Sequence, residues 1–168
     1  MEISKRLGFV TLCLVLALAS GAALAGDADA FLGTWVLNSA KSTLPQGVPP
    51  VDFTLTVTDA GGGKYKSVTD MSVVGQAYKV EITFALDGKD YAPVVTPALP
   101  GGAPPTTQSY ERVSARSYKS STKMNGQVAA TSTSEVSADG KTMTVTTTTA
   151  AGAGAPAGVV NKLVFDKK

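Results

Sequence analysis

Few side chains in this chain of 168 residues could carry acid–base or metal chemistry. The sequence contains no histidine, and its single cysteine is Cys13. A Ser-His-Asp or Cys-His catalytic group therefore cannot be assembled, and a transition metal would lack its usual nitrogen and sulfur ligands. The carboxylates that remain include Asp87, Asp90 and Asp139, which lie in glycine-containing turn motifs. Aspartate commonly bonds its own backbone in such turns, so we expect turns there rather than catalysis.

Other motifs also argue against a cofactor. Gly61-Gly62-Gly63 does not connect a strand to a helix with the spacing of a phosphate-binding loop. Calcium is disfavoured at residues 87–90 because Lys89 separates the two carboxylates. We therefore expect no metal, no cofactor and no enzymatic activity. The alternative is a cofactor-free enzyme such as an isomerase, which would need a tyrosine and a carboxylate, Glu111 or Glu135, inside a pocket.

The N-terminal segment has the features of a secretory signal peptide. Lys5 and Arg6 precede an apolar run, residues 7–18, and Ala23-Leu24-Ala25 is a small-residue cleavage site. We predict a signal peptide over 1–25 and one domain over 26–168, secreted or periplasmic, with no membrane span after cleavage. An uncleaved membrane anchor is the alternative, but a spanning helix needs about 20 apolar residues. The charges are scattered and sum to only +2, so nucleic acid is not expected as a partner.

The rest of the chain has the pattern of short antiparallel strands. Apolar and polar residues alternate over 51–58 and again over 78–86, which is the period of a half-buried strand. Asn125-Gly126 is a strong hairpin signal, and residues 87–90 are predicted to form another tight hairpin turn. A meander of about eight to ten such strands avoids exposed edges by closing into an up-and-down β-barrel. A two-layer sandwich is the alternative architecture.

The segment FLGTWVLNSAKS, residues 31–42, carries a family resemblance. Gly33-x-Trp35 resembles the first signature of the lipocalins and fatty-acid-binding proteins, the calycin superfamily, and the longer segment resembles uncharacterised secreted bacterial lipocalin-like proteins. This resemblance implies an all-β barrel with Trp35 across its closed end and a small hydrophobic ligand inside. Lipocalins pair the tryptophan with a basic residue near the barrel's end, where Lys162 is the candidate. The final strand lacks the Arg-x-Tyr with which fatty-acid-binding proteins hold a carboxylate.

The inward-facing residues of the predicted strands are the candidate ligand-binding residues. They are Phe53, Leu55, Tyr78, Val80, Ile82, Phe84, Tyr110, Tyr118 and Met143. The resulting hypothesis is a monomeric barrel that binds or carries a small hydrophobic molecule. These side chains could instead fill the core completely, which would make the protein a structural or interaction module of the cell envelope. The Ser- and Thr-rich strands over 127–137 and 141–149 offer little apolar volume and could line the interior with hydroxyls.

Overall fold

The computed structural model describes residues 28–43, 52–73, 75–98, 104–151 and 157–168. The predicted signal peptide over 1–25 lies outside the described residues. Within them, no helix has the length and apolar character needed to cross a bilayer. Helical structure in this part of the chain is limited to two short 3-10 turns, Ala28–Phe31 and Ser39–Lys41.

The described residues form one antiparallel sheet of eleven strands, which confirms the predicted all-β class. The strands are β1 Gly33–Leu37, β2 Phe53–Gly61, β3 Lys64–Val73, β4 Gln76–Ala85, β5 Asp87–Tyr91, β6 Val94–Thr96, β7 Thr106–Ser114, β8 Ser117–Met124, β9 Gln127–Val136, β10 Thr142–Thr149 and β11 Val160–Lys167. Their order across the sheet is β5-β7-β8-β9-β10-β11-β1-β2-β3-β4-β6. From β7 to β11 each strand pairs with the next along the chain, as an up-and-down meander requires.

The two edges of the sheet are connected by one continuous stretch of chain. Only Leu86 separates β4, which pairs with β3 and β6, from β5, which pairs with β7 at the far edge. The predicted hairpin at residues 87–90 is therefore wrong, and an additional strand stands in its place. Gly88 has a φ of +76°, and the register with β7 shifts between Asp87 and Asp90. A glycine with positive φ serves a β-bulge as readily as a turn, and here the chain bends without reversing.

The other predicted turns have the expected geometry. Asn125 and Gly126 have φ values of 52° and 78°, as a two-residue turn of the I′ type requires. Asp139 accepts hydrogen bonds from Ser137 Oγ at 2.6 Å and from the Lys141 backbone N–H at 3.1 Å. Both bonds lower the pKa of Asp139, and the bond from Ser137 has the larger effect. This carboxylate thus has the turn-stabilising position expected from the sequence.

Trp35 is the most deeply buried side chain at one end of the barrel. Its indole is 0% exposed, and Nε1 donates a hydrogen bond of 2.9 Å to the Phe31 carbonyl oxygen. This bond fixes the N-terminal 3-10 turn against the barrel. Phe31, Phe165 and Met143 pack in the same apolar cluster. The indole is therefore part of the buried core.

The basic residue beside Trp35 is Lys167, not the expected Lys162. Lys167 lies directly opposite Trp35 in the register of β1 and β11, and its Nζ is 4.9 Å from the indole centroid. Lys162 is exposed and pairs with Thr146 instead. The backbone explains the signature glycine, because Gly33 has a φ of +124°, which residues with a Cβ rarely adopt. A Cβ there would also lie 2.8 Å from Cε of the flexible Lys167 side chain.

Candidate functional site

The curled sheet borders a half-open cavity of about 320 Å³. This volume is at the lower end of the range of about 300–1,000 Å³ that is usual for small-molecule sites. Side chains from β2, β3, β4, β7, β8, β9, β10 and β11 line it. Among them are eight candidates from the sequence: Phe53, Leu55, Val80, Ile82, Phe84, Tyr110, Tyr118 and Met143.

Tyr78, the ninth candidate, does not line this cavity. It lies near the start of β4, opposite Met71 of β3, and is half-buried. Together with Thr96 and Pro97 it borders a separate groove. The alternation of apolar residues fixes the face of a strand to which a side chain belongs, but it does not fix how far along the barrel the cavity extends. The candidate at the strand end is therefore the one displaced from the site.

One wall of the cavity is apolar. Alternate residues of β2 provide Phe53, Leu55 and Val57, and those of β4 provide Val80, Ile82 and Phe84. Because strand side chains alternate between faces, each of these strands directs one continuous apolar row inward. The intervening residues of β2, such as Thr54 and Thr56, belong to the opposite face. This wall could hold the hydrocarbon part of a ligand.

A row of hydroxyl-bearing side chains lies on the other side of the cavity. Tyr110 of β7, Ser120 of β8, Ser132 of β9 and Thr147 of β10 are successive cross-strand partners. The Ser132 and Thr147 hydroxyl oxygens are 2.8 Å apart and share a hydrogen bond. Tyr110, Ser120 and Ser132 line the cavity, as do Thr122 and Gln108 in the next row. Below, "polar row" means Tyr110, Ser120, Ser132 and Thr147.

Sequence reasoning named Tyr110 but missed the serines of this row. In β8 the signal was available, because Ser120 lies two residues after the predicted inward-facing Tyr118, and the exposed Lys119 between them belongs to the other face. In β9, residues 131–134 carry hydroxyls on both faces, so hydropathy does not distinguish the inner face there. The register with Ser120 identifies Ser132 as inward-facing.

A chain of aromatic rings crosses between β4 and β7, which are not hydrogen-bonded neighbours in the sheet. Phe84 stacks on Tyr110 at a centroid distance of 3.9 Å, and Tyr65 lies 5.7 Å from Phe84 on the other side. Tyr118 continues the chain to Phe31 at 4.7 Å. Aromatic pairs in this range contribute about 0.5–1.5 kcal/mol each beyond their buried area, so they hold together two strands that lack a shared backbone ladder.

The cavity is uncharged. Among the described residues that line it there is no lysine, arginine, aspartate or glutamate. Glu111 and Glu135 are both exposed and lie outside this lining. Burial raises the pKa of the Tyr110 phenol and of the Tyr118 phenol, so both stay protonated at neutral pH. The interior thus offers neutral hydrogen-bonding groups.

Arg112 is a cationic residue near Tyr110 in the sequence. It follows Tyr110 by two residues on β7, and its Nη2 donates a hydrogen bond of 3.2 Å to the Tyr65 hydroxyl. Its side chain is exposed and does not belong to the cavity lining. No group of three or more cysteine, aspartate or glutamate residues that could hold a metal is found within the described ranges.

Comparison with solved structures identifies the fold. The chain resembles the fluorescent protein UnaG with a TM-score of 0.58 and 16% identity, over 82% of this chain and 97% of that one. It resembles a Schistosoma mansoni fatty acid binding protein in complex with arachidonic acid with a TM-score of 0.58 and 19% identity, over 85% and 99% of the two chains. Rv2717c from M. tuberculosis gives a TM-score of 0.50 at 10% identity, over 88% and 98%.

These similarities show a lipocalin-like, fatty-acid-binding-protein-like barrel fold. At such identities they support the fold alone. No protein-family model matches the chain, and no curated protein matches it in sequence.

Proposed function

We propose that this protein binds or carries a small hydrophobic molecule in its central cavity. The observation that carries this proposal is an uncharged cavity of about 320 Å³ with a continuous apolar wall on β2 and β4. A filled barrel would leave no such space. The structurally similar Schistosoma mansoni protein was solved with arachidonic acid, which supports a comparable use of this barrel.

We further propose that the protein acts outside the cytoplasm, secreted or periplasmic, as a monomer. The support is the signal-peptide pattern of Lys5, Arg6, the apolar run over 7–18 and Ala23-Leu24-Ala25. A small apolar molecule diffuses poorly through an aqueous compartment, so a barrel that shields it from water is a suitable carrier there.

Binding without catalysis is the function that the cavity supports best. General acid–base work needs a group whose pKa is close to the operating pH. Burial raises the pKa values of Tyr110 and Tyr118 in the described lining, and the carboxylates proposed for an isomerase, Glu111 and Glu135, are exposed outside it. The cavity therefore has donors that can hold a ligand but lacks a poised base.

Dye binding and extraction test this proposal. Mature protein, residues 26–168, should bind the uncharged dye Nile red saturably, and mass spectrometry of organic extracts should identify a carried molecule. Val80→Phe, which fills the cavity from β4, should weaken dye binding, whereas Val94→Phe on the exposed edge strand should not. The absence of saturable dye binding together with an empty extract would refute the carrier function.

A structural or interaction module is the second candidate. It is favoured by a groove of hydroxyls on the outer face of β9 and β10, where Thr131, Thr133, Thr146 and Thr148 lie side by side. Exposed hydroxyls of this kind could contact a polar partner of the cell envelope. Under this alternative, Val80→Phe would leave the function intact, while substitutions in the threonine groove would impair it.

A further inference from the structure

We infer that the ligand is an uncharged amphipathic molecule, with an apolar body and one hydroxyl or carbonyl group, whose polar group binds to Ser120 and Ser132 of the polar row. This inference rests on the proposed function, because it assigns a ligand class to the same cavity. It separates this protein from carriers that hold an ionised carboxylate.

The first argument is the hydrogen-bonding capacity of the polar row. Ser132 Oγ shares its hydrogen bond with Thr147, whereas Ser120, its cross-strand partner, has no side-chain hydrogen bond to another described residue. Within the described part of the chain, no fully buried side-chain oxygen or nitrogen lacks a partner, so the Ser120 hydroxyl is not fully buried, and Ser120 lines the cavity. A hydroxyl can both donate and accept, and it therefore suits an alcohol or a carbonyl equally.

The second argument is the placement of the apolar wall relative to the polar row. In the sheet order, β10, β11 and β1 lie between β9 and β2. In the other direction β8 is followed by β7 and the edge strand β5, and β2 is followed by β3, β4 and the edge strand β6. Because the sheet curls back on itself, β2 lies across the interior from the pair β8–β9. Phe53 and Leu55 thus face a wall that carries Ser120 and Ser132. A ligand with one polar and one apolar side fits between them.

The third argument is the absence of any countercharge. The described lining of the cavity is uncharged. The sequence of the segments 44–51, 74, 99–103 and 152–156 contains no acidic or basic residue either. An ionised carboxylate in this interior would therefore be desolvated without a cationic partner, which strongly disfavours its binding. A neutral hydroxyl or carbonyl avoids that cost.

Arg112 is the cation that would reverse this conclusion if it reached the cavity. Its guanidinium is bonded to the Tyr65 hydroxyl and lies at 3.5 Å from the Ser114 carbonyl oxygen, and the residue is exposed. It would have to leave both partners to reach an anion inside. The Arg112→Met variant is therefore a direct test of the competing arrangement.

The experiment is a displacement assay with Nile red and three probes that share one hydrocarbon chain: dodecanol, dodecanoate and dodecane. At a pH well above the carboxyl pKa, dodecanol should displace the dye at a concentration at least about tenfold lower than dodecanoate, because only the latter must bury a charge. Arg112→Met should leave the displacing concentrations of both dodecanol and dodecanoate unchanged. Preferential binding of dodecanoate, lost in Arg112→Met, would overturn the inference while leaving the proposed carrier function intact.

The polar row is tested by a variant-by-probe comparison. Ser120→Ala combined with Ser132→Ala should lower the affinity for dodecanol relative to dodecane by about tenfold, the value of one lost hydrogen bond. The control is Ser121→Ala combined with Thr133→Ala, which alters outward-facing residues of the same strands and should leave that ratio unchanged. Ser120→Ala alone provides a second cavity variant if the double variant is unstable. An unchanged ratio in both cavity variants would overturn the assignment, and failure of all probes and the dye to bind would refute the carrier function itself.

Discussion

Truncation of Trp35 is expected to be the most damaging single change in its core cluster. The indole is 0% exposed and packs with Phe31, Met143 and Phe165. Replacing such a ring with alanine typically costs about 3–5 kcal/mol through lost transfer energy and the cavity left behind. Trp35→Phe keeps most of the apolar ring but removes Nε1, leaving the Phe31 carbonyl oxygen without its donor. We expect that variant to lose about 1–3 kcal/mol.

Urea denaturation followed by far-ultraviolet circular dichroism measures both values without relying on the fluorescence of the only tryptophan. With a slope of about 2 kcal/mol/M, Trp35→Ala should lower the midpoint by about 2 M. Val113→Ala is the control, because this side chain is 53% exposed and its truncation should cost about 0.5 kcal/mol or less. A loss under about 1 kcal/mol for Trp35→Ala would refute the assignment of the indole as the buried centre of this cluster.

Three further predictions concern the backbone and pH. Gly33→Ala should lower the free energy of unfolding by about 1–3 kcal/mol because alanine is strained at this positive φ. Adding Lys167→Ala should remove only the contact between the new Cβ and the lysine side chain, and thermal unfolding of both variants would measure this difference. Asn125→Val should destabilise the β8–β9 turn by a similar amount, whereas Asn125→Gly should be tolerated. Asn38 donates a hydrogen bond to the Asp166 carboxylate, and this bond lowers the pKa of Asp166. Because the pKa is lower in the folded state, the ionised carboxylate stabilises the fold above the unfolded pKa of about 3.9. That contribution is lost as the pH falls through the folded pKa. Asp166→Asn should flatten that acid dependence in urea titrations.

The strands were predictable where one face is clearly apolar. The alternation over Phe53–Val57 and Val80–Phe84 is strong because these strands face the core on one side and solvent on the other. The Asn125-Gly126 turn was equally clear, since few sequences accept two successive positive φ values. Local sequence patterns of this kind depend only on residues close together in the chain.

The errors arose where the outcome depends on distant pairing. Asp87-Gly88 has the composition of a hairpin turn, but β7 offers a free edge on which the chain can continue as β5. Pro93 then ends that pairing, because proline has no N–H to donate, and residues 91–96 are divided between β5 and β6 at the two edges. Similarly, Lys162 and Lys167 lie on the same strand, and only the register with β1 places Lys167 at the indole.

The same serines account for the existence of the cavity and for its polarity. Phe53 and Leu55 would meet equally large side chains across the barrel if β8 and β9 were ordinary apolar strands, and the interior would be filled. Ser120 and Ser132 are small, so they leave space, and each brings a hydroxyl to the surface of that space. A dry cavity would have required alanine or glycine at these positions, whereas a packed core would have required leucine or valine. Serine therefore suits a site for a ligand that presents a polar group to this wall, and it explains why apolar alternation identified Phe53 and Leu55 but not Ser120 and Ser132.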